Sequence, residues 1–137
     1  PGCLELQEAS NERLEYLGDS ILGATIASYL FERYPDQEEG FMTRLRTKIV
    51  NGEMLGSLAL KMGLADHMVI SRHVEDRCNG RTNLRILEDV FESFIGALYL
   101  DFNEKDVCHE KMEFYSGLGF QVCHYNHIYF LMFSFFL

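Results

Sequence analysis

From Asn11 to Tyr34 the chain runs without a proline, and Pro35 followed by Asp36 then closes the stretch. Within it Leu14, Leu17, Ile21, Ala24 and Ser28 recur at intervals of three and four, the spacing of one stripe on an α-helix. A second helical pattern covers Glu38 to Ala65, with a bend expected at Asn51-Gly52 and a stop at Gly63. Asp66 to Arg72 reads as a short extended segment, and residues 76–83 read as a loop. Asn83 is suited to cap a further helix, Leu84 to Phe102. Sheet-forming alternation is otherwise absent, so the expected fold class is all-α.

Within NERLEYLGDSIL, residues 11–22, three carboxylates crowd a stretch that otherwise has the pattern of a buried helix. At about 100° per residue, Glu15 falls near −60° and Asp19 near −20° from Glu12, with Leu14, Leu17 and Ile21 roughly opposite. The helix carrying Asp89 repeats the plan. Glu92 lies about −60° from Asp89, while Leu84, Leu87, Phe91, Phe94 and Leu98 gather on the far side. Gly23 and Ala27 follow the first acidic stripe, and Ser93, Gly96 and Ala97 follow the second. Small residues let backbones approach, so the two helices are expected to cross there.

Such a crossing gathers Glu15, Asp19, Asp89 and Glu92. At an effective dielectric near 20, two carboxylates about 5 Å apart repel by roughly 3 kcal/mol. Proton uptake, a neighbouring Arg13 or Arg85, or divalent cations can relieve this. One guanidinium cannot neutralise four charges, whereas one or two dications can. Ligation by oxygen alone favours Mg²⁺ or Mn²⁺ over zinc. A pair of such ions suits phosphoryl displacement, one activating water and the other steadying the leaving oxygen. Periodic acids on a single helix are more often a solvated face, and the duplication of the plan is what raises the metal reading above that one.

NERLEYLGDSIL resembles the signature of the ribonuclease III family of double-stranded-RNA endonucleases. EEGFMTRLRTKIVN, residues 38–51, is similar to that family's second conserved segment, and LEDVFESFIGALYLD, residues 87–101, to its third. The resemblance covers about residues 11–103. It implies a ribonuclease III endonuclease-domain-like helical bundle in which Glu15, Asp19, Asp89 and Glu92 are the catalytic, metal-binding carboxylates. It further implies that Glu12 and Glu39 position the substrate beside the scissile strand and that Tyr16 stands at a dimer contact. The implied reaction is Mg²⁺-dependent hydrolysis of double-stranded RNA, with Mn²⁺ able to substitute, leaving 5′-phosphate and 3′-hydroxyl ends. Two such domains pair, each cutting one strand, so the expected assembly is a homodimer.

There are departures from the family pattern. Tyr16 replaces the more usual phenylalanine, and Glu88 adds a charge where a small or apolar residue is usual. The upstream helix is expected to be reduced to PGCLELQEAS, and no double-stranded-RNA-binding domain is expected to follow. The expected organisation is a nuclease domain over residues 1–122, its N-terminal helix incomplete, then an apolar tail over 123–137. That tail includes HIYFLMFSFFL, shorter than the roughly 20 residues a helix needs to span a bilayer, so no membrane partner is expected.

The 137-residue chain carries 12 Lys and Arg against 21 Asp and Glu, a net charge of −9, which by itself argues against nucleic acid. The resemblance answers this, because in the family much of the phosphate affinity resides in an appended basic domain. Local basic clusters remain at Arg44, Arg46 and Lys48 and at Arg72, Arg77, Arg81 and Arg85. Four cysteines without a CxxC pair point to a reducing, intracellular compartment, cytoplasm or nucleus. Cys108, His109, Cys123, His124 and His127 lack the spacing of a zinc finger. Two rival readings differ in class. A non-catalytic dimerisation or RNA-scaffolding module should lack one of the four acids, and none is missing. A diphosphate enzyme of isoprenoid-synthase type needs an Asp-rich DDxxD cluster, which the chain does not have.

Overall fold

The computed structural model describes residues 10–105, with side chains described as far as Asp101. Five α-helices follow one another among the described residues: α1 Glu12–Arg33, α2 Glu39–Ile49, α3 Gly52–Lys61, α4 Arg72–Cys78 and α5 Leu84–Lys105. A single 3₁₀ turn, Leu64–His67, links α3 to α4. Among the described residues there is no strand, and the all-α expectation holds. No helix among them is long and apolar enough to cross a membrane.

Local chemistry explains the boundaries. The Tyr34 amide donates to the Leu30 carbonyl at 3.0 Å to finish α1 before Pro35, and the Tyr34 ring meets Phe41 of α2 edge-on at 5.2 Å. Asn51 ends the second helical region and starts the third, its side-chain oxygen accepting from the Met54 amide at 3.0 Å. Gly63 turns the chain after α3 with φ 72, a left-handed conformation that suits glycine. Asn83 caps α5 by accepting from the Arg85 amide at 3.1 Å.

The core is built from Leu22, Ile26 and Leu30 of α1, Leu55, Leu58 and Ala59 of α3, and Leu87, Phe91 and Ile95 of α5. The largest interfaces are those of α5 with α1 and with α3. Gly56 makes the second possible: a Cβ there would stand 2.6 Å from the Leu84 carbonyl oxygen. Two buried side chains are polar, Ser93 and the fully buried Thr25, and the Thr25 hydroxyl has no hydrogen-bond partner among the described residues.

Two expectations are corrected. The buried face of α1 is Gly18, Ile21, Leu22, Thr25, Ile26 and Leu30, whereas Ala24 and Ser28 are exposed. The stripe was displaced because periodicity counts Ala24 and Ser28 with Leu17 and Ile21, while packing against α5 demands a glycine that periodicity ignores. Secondly, α4 runs from the end of the segment expected to be extended, at Arg72, into the expected loop, at Cys78. It is only seven residues long, starts at Ser71, whose hydroxyl accepts from the Val74 amide at 3.3 Å, and stops at Asn79 with φ 48. So short a helix cannot display a period. The segments 1–9 and 106–137, with the boundary at 122, the apolar tail and the Cys108–His127 group, lie outside the described residues.

Candidate metal centre between α1 and α5

Where α1 crosses α5, glycine faces backbone. A Cβ at Gly18 would overlap the Glu92 carbonyl and come 2.9 Å from the Gly96 amide nitrogen, and a Cβ at Gly96 would overlap the Leu14 carbonyl. The crossing is therefore set by Gly18 and Gly96. Gly96 was among the small residues expected at the contact. Gly23 and Ala27 were expected too and do not make it: a Cβ on Gly23 would meet nothing within 4 Å, and Ala27 is exposed.

This places the acids differently from the simple picture of opposed stripes. Around the α1 axis, Glu15 and Asp19 lie only about 20° and 60° from the core residue Leu22. Acids and core thus share one side of the helix. Gly18 sits along the axis between Glu15 and the core residues Ile21 and Leu22, with Asp19 beside it. Ser93, buried on α5, donates from its hydroxyl to the Asn11 carbonyl at 3.3 Å and ties the start of α1 to the middle of α5.

Carboxylate oxygens of Glu15, Asp89 and Glu92 lie within 4.8 Å of one another, a group that could hold a metal ion. Asp19, the fourth expected acid, is not in that trio. It is close enough to Glu15 and Glu92 to disfavour ionisation of both. Glu92 is pushed up to about 7, first by burial and then by Asp19, Glu88, Glu15 and Asp89. Burial leads for Glu15 as well, followed by Asp89, Glu12, Asp19 and Glu88, and its pKa is raised. Asp89 is raised by partial burial, with Arg85 pulling the other way. These shifts measure how poorly the fold accommodates the anions without a positive partner, which is the electrostatic condition that a dication relieves.

The remaining expected residues are less central. Glu12 is exposed one turn before Glu15. Glu39 opens α2 with its carboxylate accepting from the Thr43 hydroxyl at 2.7 Å, and it is not among the groups acting on the trio. Tyr16 is 79% exposed, pointing away from the core. Glu88 proves to be a structural neighbour of the site: its carboxylate packs on Gly52 at the N-terminus of α3, where a Cβ would stand 2.8 Å from its Cδ. The second basic cluster is partly structural. Arg81 donates to the Glu75 carboxylate at 2.8 Å and to the Ala65 carbonyl at 2.5 Å, pinning the connection that follows α3.

Residues 12–103 match the ribonuclease III domain. A protein of Paramecium bursaria Chlorella virus 1 is 50% identical over 95 residues, covering 69% of this chain and 34% of that protein. Ribonuclease 3 of Listeria welshimeri is 47% identical over 91 residues, covering 66% of this chain and 39% of the enzyme. The chain thus spans little more than a third of these curated relatives. The nuclease domain of ribonuclease III from Campylobacter jejuni, solved in a study of the region involved in its dimer formation, superposes with a TM-score of 0.65 at 34% identity. It covers 69% of this chain and 66% of that one. With the match running through both acid-bearing helices and everything between them, this chain belongs to the ribonuclease III domain family.

Proposed function

We propose that this chain is a double-stranded-RNA endoribonuclease unit whose metal ligands are Glu15, Asp19, Asp89 and Glu92, acting as a homodimer. The observation that carries the reading is the convergence of three carboxylates from two helices distant in sequence, Glu15 with Asp89 and Glu92, within 4.8 Å. The donors are hard oxygens on a rigid crossing, which suits Mg²⁺ and lets Mn²⁺ substitute. When bound, such ions supply an activated water and neutralise charge on the phosphodiester.

The chain's own part is positional. Gly18 and Gly96 fix the separation of the two helices, Ser93 holds the start of α1 against α5, and Leu22 with Leu87 closes the apolar end behind the acids. In the reaction a water oxygen bonds to phosphorus and the bond from phosphorus to the 3′ oxygen breaks, leaving a 5′-phosphate and a 3′-hydroxyl. Glu12 and Glu39, exposed at the beginnings of α1 and α2, are assigned to the border of the scissile strand. Tyr16 is assigned to the pairing surface, its exposed ring available to a second copy.

The test is direct. The full chain, at a concentration that favours pairing, should cut a blunt RNA duplex in Mg²⁺, stop in EDTA and resume with Mn²⁺. Asp19→Asn and Glu92→Gln should abolish cutting while circular dichroism stays helical. Full cutting by either variant overturns the assignment, and binding without cutting by the unaltered chain would favour a scaffolding role.

A further inference from the structure

Beside the carboxylates, α1 and α2 bound a groove of about 460 Å³ whose walls include Asp19, Ser20 and Gly23 on one helix and Arg46 and Thr47 on the other, with Val50 just past its end. Its volume falls within the roughly 300–1,000 Å³ of small-ligand sites, enough for one nucleotide. We propose that this groove seats a single ribonucleotide next to the scissile phosphate, with Arg46 holding its phosphate and one of the two hydroxyl oxygens, Ser20 or Thr47, accepting from its ribose 2′-hydroxyl. The inference rests on the nuclease reading and names a subsite for it.

Three observations support it. Arg46 has no hydrogen bond or ion pair among the described residues, although the chain is strongly acidic overall. An unengaged guanidinium on a groove wall is a planar donor fork matched to phosphate oxygens. Next, Ser20 donates its hydroxyl proton to the Tyr16 carbonyl at 3.0 Å, and Thr47 donates to the Thr43 carbonyl at 3.0 Å. With their protons committed, both side-chain oxygens are left as acceptors. An acceptor beside a phosphate site is met by a donor hydroxyl, which ribose has at its 2′ carbon and deoxyribose lacks. Finally, Gly23 leaves the groove open: a Cβ there meets nothing within 4 Å. Asp19 belongs both to this wall and to the acidic group at the crossing, so a nucleotide in the groove is continuous with a phosphodiester over the acids.

The experiment uses the full chain and three variants: Gly23→Leu, whose Cβ meets no protein atom within 4 Å and whose branched end extends into the groove, Arg46→Ala, and the double variant Ser20→Ala with Thr47→Val. Duplexes carrying a single 2′-deoxy substitution are walked across the cleavage position. The unaltered chain should lose about tenfold in kcat/KM at one flanking position, and the double variant should cut that duplex and the all-ribose duplex alike. Gly23→Leu and Arg46→Ala should each lose about tenfold or more on all-ribose RNA. An activity-independent arm follows the amide resonances of Gly23 and Thr47 on titration with adenosine 3′,5′-bisphosphate. They should shift with that probe and shift several-fold less with its 2′-deoxy form, and the Thr47 resonance should not shift in Gly23→Leu. Cutting by the unaltered chain that is unchanged in Gly23→Leu, or a 2′ preference unchanged in the double variant, overturns the subsite while leaving the nuclease reading intact. Resonance shifts in a chain that never cuts would keep the subsite and remove the reading it was built on.

Discussion

Replacing Glu92 by glutamine should remove activity and at the same time stabilise the metal-free chain, provided the pH is high enough. The Glu92 carboxyl is raised from 4.5 to about 7 in the fold, chiefly by burial and then by Asp19 and Glu88. A carboxyl whose folded value lies above its unfolded one binds more protons folded than unfolded between those two pH values. Stability therefore falls as pH rises through that window. The cost is fully present above about pH 7 and gone below 4.5. At about 1.4 kcal/mol per pH unit the interval bounds the cost near 3 kcal/mol, and solvent reaching the half-buried group reduces it to roughly 1–2 kcal/mol. Glutamine has nothing to ionise. In EDTA near pH 8, Glu92→Gln should raise the thermal midpoint by roughly 5–10 °C, given about 4–8 °C per kcal/mol for a domain of this size. Near pH 4.5 the two proteins should melt together, because Glu92 is then protonated and neutral. Mg²⁺ should reverse the order at high pH by stabilising the unaltered chain more than the variant. Equal melting in EDTA at high pH, or an equal gain at both pH values, would refute the electrostatic reasoning.

Other substitutions separate packing from charge. Gly18→Ala should cost about 3 kcal/mol or more in urea unfolding, since the new methyl overlaps the Glu92 carbonyl and only backbone can yield. Gly23→Ala on the same helix should instead stabilise by up to about 1 kcal/mol, because its Cβ meets nothing and alanine is the better helix former. Thr25→Val should gain about 1 kcal/mol in the same assay, removing a buried hydroxyl that has no partner among the described residues. Ser93→Ala should lose about 1 kcal/mol with the bond to the Asn11 carbonyl, and hydrogen exchange should quicken at the start of α1.

The sequence was most informative where chemistry repeats along a helix. The break at Asn51, the cap at Asn83 and the stop near Gly63 were legible because each uses a residue whose side chain or backbone suits a helix end. Both acid-bearing helices were legible for the same reason, and so was Gly96 at their contact. Gly18 was not, although it lies inside the motif. A glycine buried at a crossing has no polarity pattern of its own, and only its partner backbone reveals it. That omission turned the picture of α1, since the acids continue its buried face instead of opposing it. Similarly, Glu88 was seen as an added charge, but its seat on Gly52 at the start of α3 depends on a contact between residues far apart in sequence. The α1–α2 groove involves Arg46 and Thr47, exposed polar positions whose role in sequence cannot be distinguished from ordinary solvation.

The most direct measurement is the anomalous scattering from crystals of this chain grown with Mn²⁺. The expected result is a peak coordinated by carboxylate oxygens from both α1 and α5, with Glu15, Asp89 and Glu92 around it at about 2.0–2.2 Å. Manganese found only on isolated surface carboxylates, with the space among Glu15, Asp89 and Glu92 holding nothing but water, would contradict the claim that these helices meet to bind a catalytic dication.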